Sequence, residues 1–577
     1  MSRCLRVVSM NAPHPCTFHS SSSADLWLTA QSRYAAREYD AALEALDRLL
    51  DALPADAAAL ELAARALAAK GQSGVADAPL TGGALADAHY ALGAWLFRRG
   101  RIAASEQAYR RVLALRADDV PALSNLGVVL MHESRMDEAE AMLARALDLD
   151  PNHINALLHQ GLLMWRLGRL AQSEAAYRAA LARDADNFQA WNNLGLLLKD
   201  MNRLPESETA CRRAVALNGN IAEAHNNLGN ALWQLGRVEA SIDAYRRALA
   251  LRPDYAAARA NLALPLLCLG DYENAWPFYE ARHDPSIGTE GVLQPPVPYP
   301  QWQGESLVGK SILVWPEQGL GDSLQFCRYV PMLKALGAAH VSVACAPTQQ
   351  RLFETLAGAD QVIPLNGQGR IERHDFWCLM MSLPYRFGTT VATIPASVPY
   401  LHAQASELER WRTRLPDAAL KVGLVWAGNP RADQASSNAI DQRRSLDAQA
   451  FVPLLSMPDV TFVSLQLGDS TRPQIAHLPA AIQPLDPMDE VRDFADTAAI
   501  VANLDLVITV DTSMAHLAGA LGKPVWVLSR YAACWRWFKD REDSPWYPSA
   551  RVFRQTQPDA WDDVLRRVER ALAELTA

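Results

Sequence analysis

The sequence predicts two architectures in one chain: an N-terminal all-α array of repeated helix pairs, followed by α/β lobes built on parallel strands. Two observations predict this. Glycines recur every 34 residues at Gly93, Gly127, Gly161, Gly195 and Gly229, a period at which one supersecondary unit is repeated along a chain. Far downstream, residues 506–510 form a short apolar run, and Asp511-Thr512-Ser513 follows at once as a helix-start signal. Gly522-Lys523-Pro524 then stops that helix, and residues 525–528 read as the next strand. The polar turn of such a unit lies at the carboxyl end of a parallel strand, where open α/β sheets bind ligands and a helix N-terminus offers free N–H groups to an anion.

Composition sets the class. The chain has 577 residues, half of them apolar and 21% charged, which is a globular composition with length for two to four domains. The formal charge of −9 and the pI near 5.8 argue against nucleic acid as the main partner. The eight cysteines are scattered singly without metal-ligand spacing and read as reduced thiols of a cytoplasmic protein. Residues 1–23 read as a disordered leader, or as the product of an upstream start codon, since their apolar part is too short for a secretory segment; no run approaches a transmembrane span.

Residues 24–282 hold the array. Two more series share the glycine register: Gly100, Ser134, Gly168, Asn202, Gly236 and Gly270, all turn-formers, and Ala122, Ala156, Ala190, Ala224 and Ala258. Three phase-locked series identify tetratricopeptide repeats, each a pair of antiparallel helices. Six regular units run from about 86 to 282, an irregular pair precedes them at about 24–57, and the small residues from 71 to 83 form a break between the two. The Gly93-type positions let paired helices approach, and the Gly100-type positions make the turn. A further series, Asn125, His159, Asn193, Asn227 and Asn261, sits on the first helix of each repeat. Asparagine carries a donor and an acceptor, so a ladder of them suits the backbone of an extended peptide of any sequence; local capping or inter-helix packing explains it as well. The ladder resembles that of the tetratricopeptide arm of protein O-linked N-acetylglucosamine transferases.

Prolines at 285, 295, 296, 298 and 300, with Gly288 and Gly291, mark residues 283–305 as a linker. An N-terminal lobe at 306–405 opens with a strand at 310–315, a turn at 316–323 containing Gly319 and Gly321, and a helix at 324–336. A C-terminal lobe at 406–577 has a helix at 407–415, strands at 421–426, 460–465 and 506–510, and a long polar loop from 431 to 444. It ends in an aromatic-rich tail, a short strand at 551–555 and a closing helix at 561–575. The order strand–helix–strand suits doubly wound lobes.

The motif Asp-Thr-x-x-x-His-Leu-Ala-x-Ala-Leu-Gly-x-Pro, beginning at Asp511, resembles the donor-binding motif of the bacterial heptosyltransferases, glycosyltransferase family 9. Gly319-Leu320-Gly321-Asp322 resembles their acceptor-side loop, and Asp543-Ser544-Pro545-Trp546-Tyr547-Pro548 resembles what tetratricopeptide-linked members carry. The resemblance implies a GT-B pair of Rossmann-like lobes and direct, inverting transfer of a sugar from a nucleotide-sugar donor. It implies Asp322 as general base toward the acceptor hydroxyl, with Gly319 and Gly321 shaping its loop; a helix N-cap is the structural alternative for Asp322. Donor contacts fall on Asp511, Thr512, Ser513, His516 and Arg444, the last at a position where the family usually has lysine; a solvated loop arginine is the alternative there. Gln466, at a strand end, is a candidate for the base or ribose.

No metal or other cofactor is expected, since arginine and helix N–H groups can meet the charge on the leaving diphosphate. The repeat arm favours a protein or peptide acceptor. The competing readings are a non-catalytic repeat scaffold with a degenerate transferase half, and a saccharide-directed transferase acting on lipopolysaccharide.

Overall fold

The computed structural model describes residues 23–71, 82–287, 294–367, 371–430, 435–532 and 534–576. The expected leader up to residue 22, most of the break at 71–83, part of the linker and the start of the polar loop at 431–444 lie outside them. The chain divides into two compact units, residues 1–190 and 191–577.

The first unit is helical. It contains α1 (Ser23–Ala35), α2 (Tyr39–Ala52), α3 (Ala57–Gly71), α4 (Gly82–Arg98), α5 (Ile102–Leu115), α6 (Val120–His132), α7 (Met136–Leu149), α8 (Ile154–Arg166) and α9 (Leu170–Arg183). The irregular start holds one helix more than the sequence reading gave it, because the alanine-rich stretch forming α3 is itself a strong helix former. The repeat period has a direct steric cause. A Cβ at Gly93 would lie 2.8 Å from the Tyr109 ring, one at Gly127 2.8 Å from Leu143 Cγ and one at Gly161 2.5 Å from the Tyr177 ring. Only glycine lets the two helices of a repeat come this close. The turn positions Gly100 and Gly168 have φ of +75° and +73°, and Ser134 adopts +62°, the left-handed region that favours glycine.

The second unit begins within α10 (Phe188–Asp200). It continues through α11 (Leu204–Leu217), α12 (Ala222–Gln234), α13 (Val238–Leu251), α14 (Ala256–Cys268) and α15 (Tyr272–Tyr279), with the same glycine packing: a Cβ at Gly195 would lie 2.6 Å from Cys211 Sγ and one at Gly229 2.5 Å from the Tyr245 ring.

Two sheets follow. The first has the order β3-β2-β1-β4, with β1 (Ser311–Trp315), β2 (His340–Cys345), β3 (Gln361–Pro364) and β4 (Phe376–Leu379) all parallel. The second has the order β6-β5-β7-β8-β10-β9 and contains β5 (Leu420–Val425), β6 (Val460–Ser464), β7 (Leu506–Val510), β8 (Val525–Ser529), β9 (Asp543–Ser544) and β10 (Tyr547–Arg554). It is parallel except for β9. The helices between and after the strands are α16 (Leu320–Phe326), α17 (Val330–Ala335), α18 (Gln350–Phe353), α19 (Leu383–Arg386), α20 (Ala405–Arg412), α21 (Ala435–Arg444), α22 (Val452–Leu455), α23 (Phe494–Ala502), α24 (Ser513–Ala520) and α25 (Trp561–Thr576).

Three elements differ from the sequence reading. The helix expected at 324–336 begins earlier, at Leu320, because the Asp322 carboxylate in its first turn accepts from the Gly319 N–H. It is interrupted before α17, where Pro331 lacks the N–H that would continue it. The polar loop expected at 431–444 is helical from Ala435. The i,i+3 pair Asp441–Arg444 and the bond from Asn438 Nδ2 to Pro430 O (2.6 Å) anchor that helix. The last strand starts at Tyr547 rather than 551, in register with β8.

One apolar core runs from Val238 and Tyr272 in the last repeats through both sheets to Val552. A buried ion cluster ties the turn after α15, Glu280–His283, to the first lobe. Arg282 donates two bonds to Glu317, 2.9 and 3.0 Å, while His283 Nε2 lies 3.0 Å from the same carboxylate and Met381 N donates to it. Burial pushes the Glu317 carboxyl up, and Arg282 and His283 more than reverse this, leaving it below its ordinary value. Among the described residues no helix is long and apolar enough to cross a membrane.

Candidate functional site

The site is built where the carboxyl ends of β1 and β7 face each other. Strand β7 is buried throughout, so the first residue able to carry a polar side chain outward is Asp511. Thr512 is extended and caps α24, its Oγ1 accepting from Met514 N at 3.3 Å. It is also 3.0 Å from Thr509 Oγ1, which leaves the hydroxyl inside the protein's own network.

From the other lobe comes α16. Asp322 Oδ2 accepts from Gly319 N at 2.9 Å, closing the cap. The next contact joins the two sequence motifs: a Cβ at Gly321 would lie 2.8 Å from His516 Cδ2 and 3.2 Å from Ser513 Cα. The glycine therefore serves close helix-to-helix approach of α16 to α24. Asp322 Oδ1 pairs with Arg536, whose Nε donates to Gln325 Oε1 at 2.8 Å. Burial lowers the Arg536 pKa, and Asp322 overcompensates, so the guanidinium is held above its ordinary value and stays charged.

His516 lies inside this junction. Its ring stacks on Trp537, with centroids 5.5 Å apart and planes 16° apart, and Nδ1 is 2.9 Å from Tyr547 Oη. Burial, reinforced by Arg536, pushes its pKa down to about 3; the imidazole is neutral and works as a packing and hydrogen-bonding element. Trp537 Nε1 in turn donates to Asp511 Oδ1 at 2.7 Å.

On the outer side of Asp511 stands a group of arginines. Arg444 Nη1 donates to the Asp511 carbonyl at 2.7 Å. It lies against Gly428, where a Cβ would come within 2.8 Å of its Nε. Arg443 reaches Gln234 Oε1 on α12 at 3.2 Å, and Arg530, after β8, donates to Ala532 O at 2.7 Å. Burial and then Arg530 push the Arg443 pKa down to about 10, and burial lowers that of Arg530 despite Asp511. Among the described residues Arg443 Nε and Nη1 and Arg444 Nε have no acceptor. Arg444 Nη2 pairs with Asp441; adjacent, partly buried cations that keep spare donors favour an anion between them.

Other expectations resolve differently. Gln466 is 1% exposed. Its Oε1 accepts from Trp426 N and Ala427 N, both at 3.0 Å, and its Nε2 donates to Ala427 O, Leu467 O and Thr471 Oγ1. It clamps the end of β5 and has no capacity left for a base or ribose, a correction to its expected role. The asparagine series spends a donor between repeats. Asn227 Nδ2 reaches Asn192 Oδ1 at 2.8 Å, Asn261 Nδ2 reaches Asn226 Oδ1 at 3.0 Å, Asn125 Nδ2 reaches Tyr90 Oη at 2.9 Å, and His159 Nδ1 lies 2.8 Å from Ser124 Oγ. Asn193 is partly buried.

Sequence reasoning missed Arg530, Arg536, Trp537 and Tyr547 as members of the site. The dense aromatic tail was the available signal, and its packing role is visible too: Trp546 Nε1 donates to Tyr272 Oη at 2.9 Å, and Trp535 packs edge-on to Trp276.

Tetratricopeptide-repeat models match residues 28–76, 158–221 and 222–255, and a model described as the middle TPR-like domain of cilia and flagella-associated protein 70 matches 80–149. Protein FlbA of Caulobacter vibrioides is 29% identical over 330 residues, 54% of each chain; the present chain spans about half the length of that curated relative. Among solved structures, PilF of Pseudomonas aeruginosa is similar at 17% identity and a TM-score of 0.32, over 35% of this chain and 93% of that one. The repeat protein TTC0263 of Thermus thermophilus is similar at 19% and 0.29, over 32% and 99%. A chain of the Cut9–Hcn1 complex is similar at 18% and 0.34, over 47% and 54%. The N-terminal part of the chain is thus a tetratricopeptide-like helical array, and an α/β region with parallel sheets follows it.

Proposed function

We propose that the chain is a glycosyltransferase of GT-B architecture, moving a sugar from a nucleotide-sugar to a hydroxyl of a protein acceptor held by the repeat helices. One observation carries the reading. The Gly319–Asp322 turn and the Asp511–His516 motif come from different sheets and meet at Gly321, and Arg444, which donates to the Asp511 carbonyl, and its neighbour Arg443 keep three donor atoms without acceptors among the described residues. In this reading the diphosphate of the donor lies against Arg444, Arg443 and the N-terminus of α24, where positive groups meet the charge that develops on the leaving group. Asp511 is oriented by Trp537 and shapes the turn rather than touching phosphate. Asp322 takes the proton from the acceptor hydroxyl, which requires one of its oxygens to exchange Arg536 for substrate. His516, neutral, fixes the contact between the lobes. Asn193 and Asn261, partly buried, are the ladder positions from which a side chain would meet an acceptor peptide, and tetratricopeptide arrays are suited to holding a protein partner.

One feature favours the alternative of a non-catalytic scaffold: both Asp322 oxygens are engaged, by Gly319 and by Arg536. Asp322→Asn separates the two. The transferase reading expects nucleoside diphosphate release to fall at least about 10²-fold with nucleotide affinity retained. Unchanged turnover would remove Asp322 from the chemistry.

A further inference from the structure

We infer that a cavity between repeat helix α12 and the second sheet receives the base of the nucleotide, and that it selects a single-ring base carrying a keto oxygen. The inference rests on the proposed donor site and extends it to residues of the repeat array. The cavity measures about 190 Å³ and is walled by Trp233 and Gly236 from the repeats and by Tyr531, Lys539, Arg554 and Gln555 from the lobe. It lies past the carboxyl ends of β8 and β10, the edge at which parallel sheets bind ligands.

Three observations point to this occupant. The cavity adjoins the arginines: Gln234, next to Trp233, accepts from Arg443, and Arg530 donates to Ala532 beside Tyr531. Strands β7, β8 and β10 are successive neighbours. At about 4.8 Å per strand, the cavity lies roughly 10 Å from the turn after β7, a span of the order separating diphosphate from base.

The walls suit a flat ring. Trp233 and Tyr531 supply aromatic surface, and the volume is below the roughly 300 Å³ at which pockets take whole drug-sized ligands, so it accommodates one ring rather than a complete nucleotide-sugar.

The walls also carry unused donors. Gln555 is 4% exposed; its Oε1 accepts from Tyr531 N at 2.9 Å, while its Nε2 has no partner among the described residues, nor has Arg554 Nε. A buried amide N–H₂ without an acceptor is costly, and a ring carbonyl supplies the acceptor. Gly236, a turn glycine with φ of +73°, leaves the Tyr531 ring in place: a Cβ there would stand 2.9 Å from it.

The test is calorimetric titration of the full chain with uridine, cytidine and adenosine 5′-diphosphates and with inorganic pyrophosphate, repeated on Gln555→Leu and Trp233→Ala. The expected result is a preference for the pyrimidine diphosphates over adenosine diphosphate of about tenfold or more, the worth of one good hydrogen bond. Gln555→Leu should reduce that preference to about twofold with pyrophosphate affinity unchanged, which also certifies the fold of the variant. A wild-type preference for adenosine, or nucleotide affinities untouched by both substitutions, overturns the inference and leaves the transferase reading standing. Absence of binding by every diphosphate overturns both.

Discussion

Gly321→Ala probes the meeting of the two motifs at a single methyl group. The added carbon would sit 2.8 Å from His516 Cδ2 and 3.2 Å from the backbone at Ser513. The histidine cannot yield, since Trp537 stacks on it and Tyr547 holds its Nδ1. Ser513 is the first residue of a buried helix and cannot yield either. Relief must come from α16 moving away from α24 by several tenths of an ångström. Overpacking of this kind costs about 1–3 kcal/mol. At about 2–4 °C per kcal/mol for units of a few hundred residues, the melting temperature of the second unit should drop by roughly 2–12 °C. Alanine has the higher helix propensity, so propensity alone would raise stability by up to about 1 kcal/mol; the sign of the shift therefore separates packing from propensity. The same displacement would misplace Asp322 relative to the α24 turn, and shifts near 1 Å cost about 10²-fold in rate. Differential scanning calorimetry, paired with nucleotide release, reads both. An unchanged or raised melting temperature refutes the interlocked contact.

Acid should weaken the lobe junction. The folded pKa of His516 is near 3 against about 6.5 unfolded, so the unfolded chain binds the extra proton. Its contribution is intact above about pH 6.5 and is lost as pH falls toward 3, at most about 1.4 kcal/mol per pH unit. Denaturant titrations at pH 7.5 and 5.5 should show this slope, and His516→Gln should flatten it. Glu317→Gln leaves Arg282 buried without its bidentate partner and should destabilise by about 3–5 kcal/mol, measured by urea midpoint; a shift under 1 kcal/mol would contradict the buried cluster. Asn227→Ala removes the bond to Asn192 and should cost about 1 kcal/mol in thermal melts, whereas a ladder devoted wholly to peptide binding predicts no loss.

The array was legible because its rule is local and repeated. One glycine per unit, pressed against a residue 16 positions later in the chain, as with Gly93 and Tyr109 or Gly161 and Tyr177, writes itself into the sequence as a period. The β7–α24 unit was legible for the same kind of reason, an apolar run followed by a capped helix. The rest of the site depends on long-range partners. Arg536 meets Asp322 across 214 positions and Trp537 meets Asp511 across 26, and nothing in residue spacing encodes either. Gln466 misled because a polar residue at a strand end suits a ligand and an internal clamp equally; only its five bonds decide. The helix Ala435–Arg444 was hidden by its polar composition, while the ion pair and the bond from Asn438 to the Pro430 carbonyl that stabilise it are visible only once folded.

Nucleotide binding at the arginines tests the central claim most directly. Thermal-shift and calorimetric titration with a panel of nucleoside diphosphates should find at least one that stabilises the chain, by about 2.7 kcal/mol at a hundredfold excess over Kd. Arg444→Ala should weaken that ligand by tenfold or more without altering the melting temperature of the free protein by more than a few degrees. If no nucleoside diphosphate binds at millimolar concentration, or if Arg444→Ala binds as tightly as the parent, the anion site and the transferase reading built on it are wrong, and the repeat array becomes the functional part of the chain.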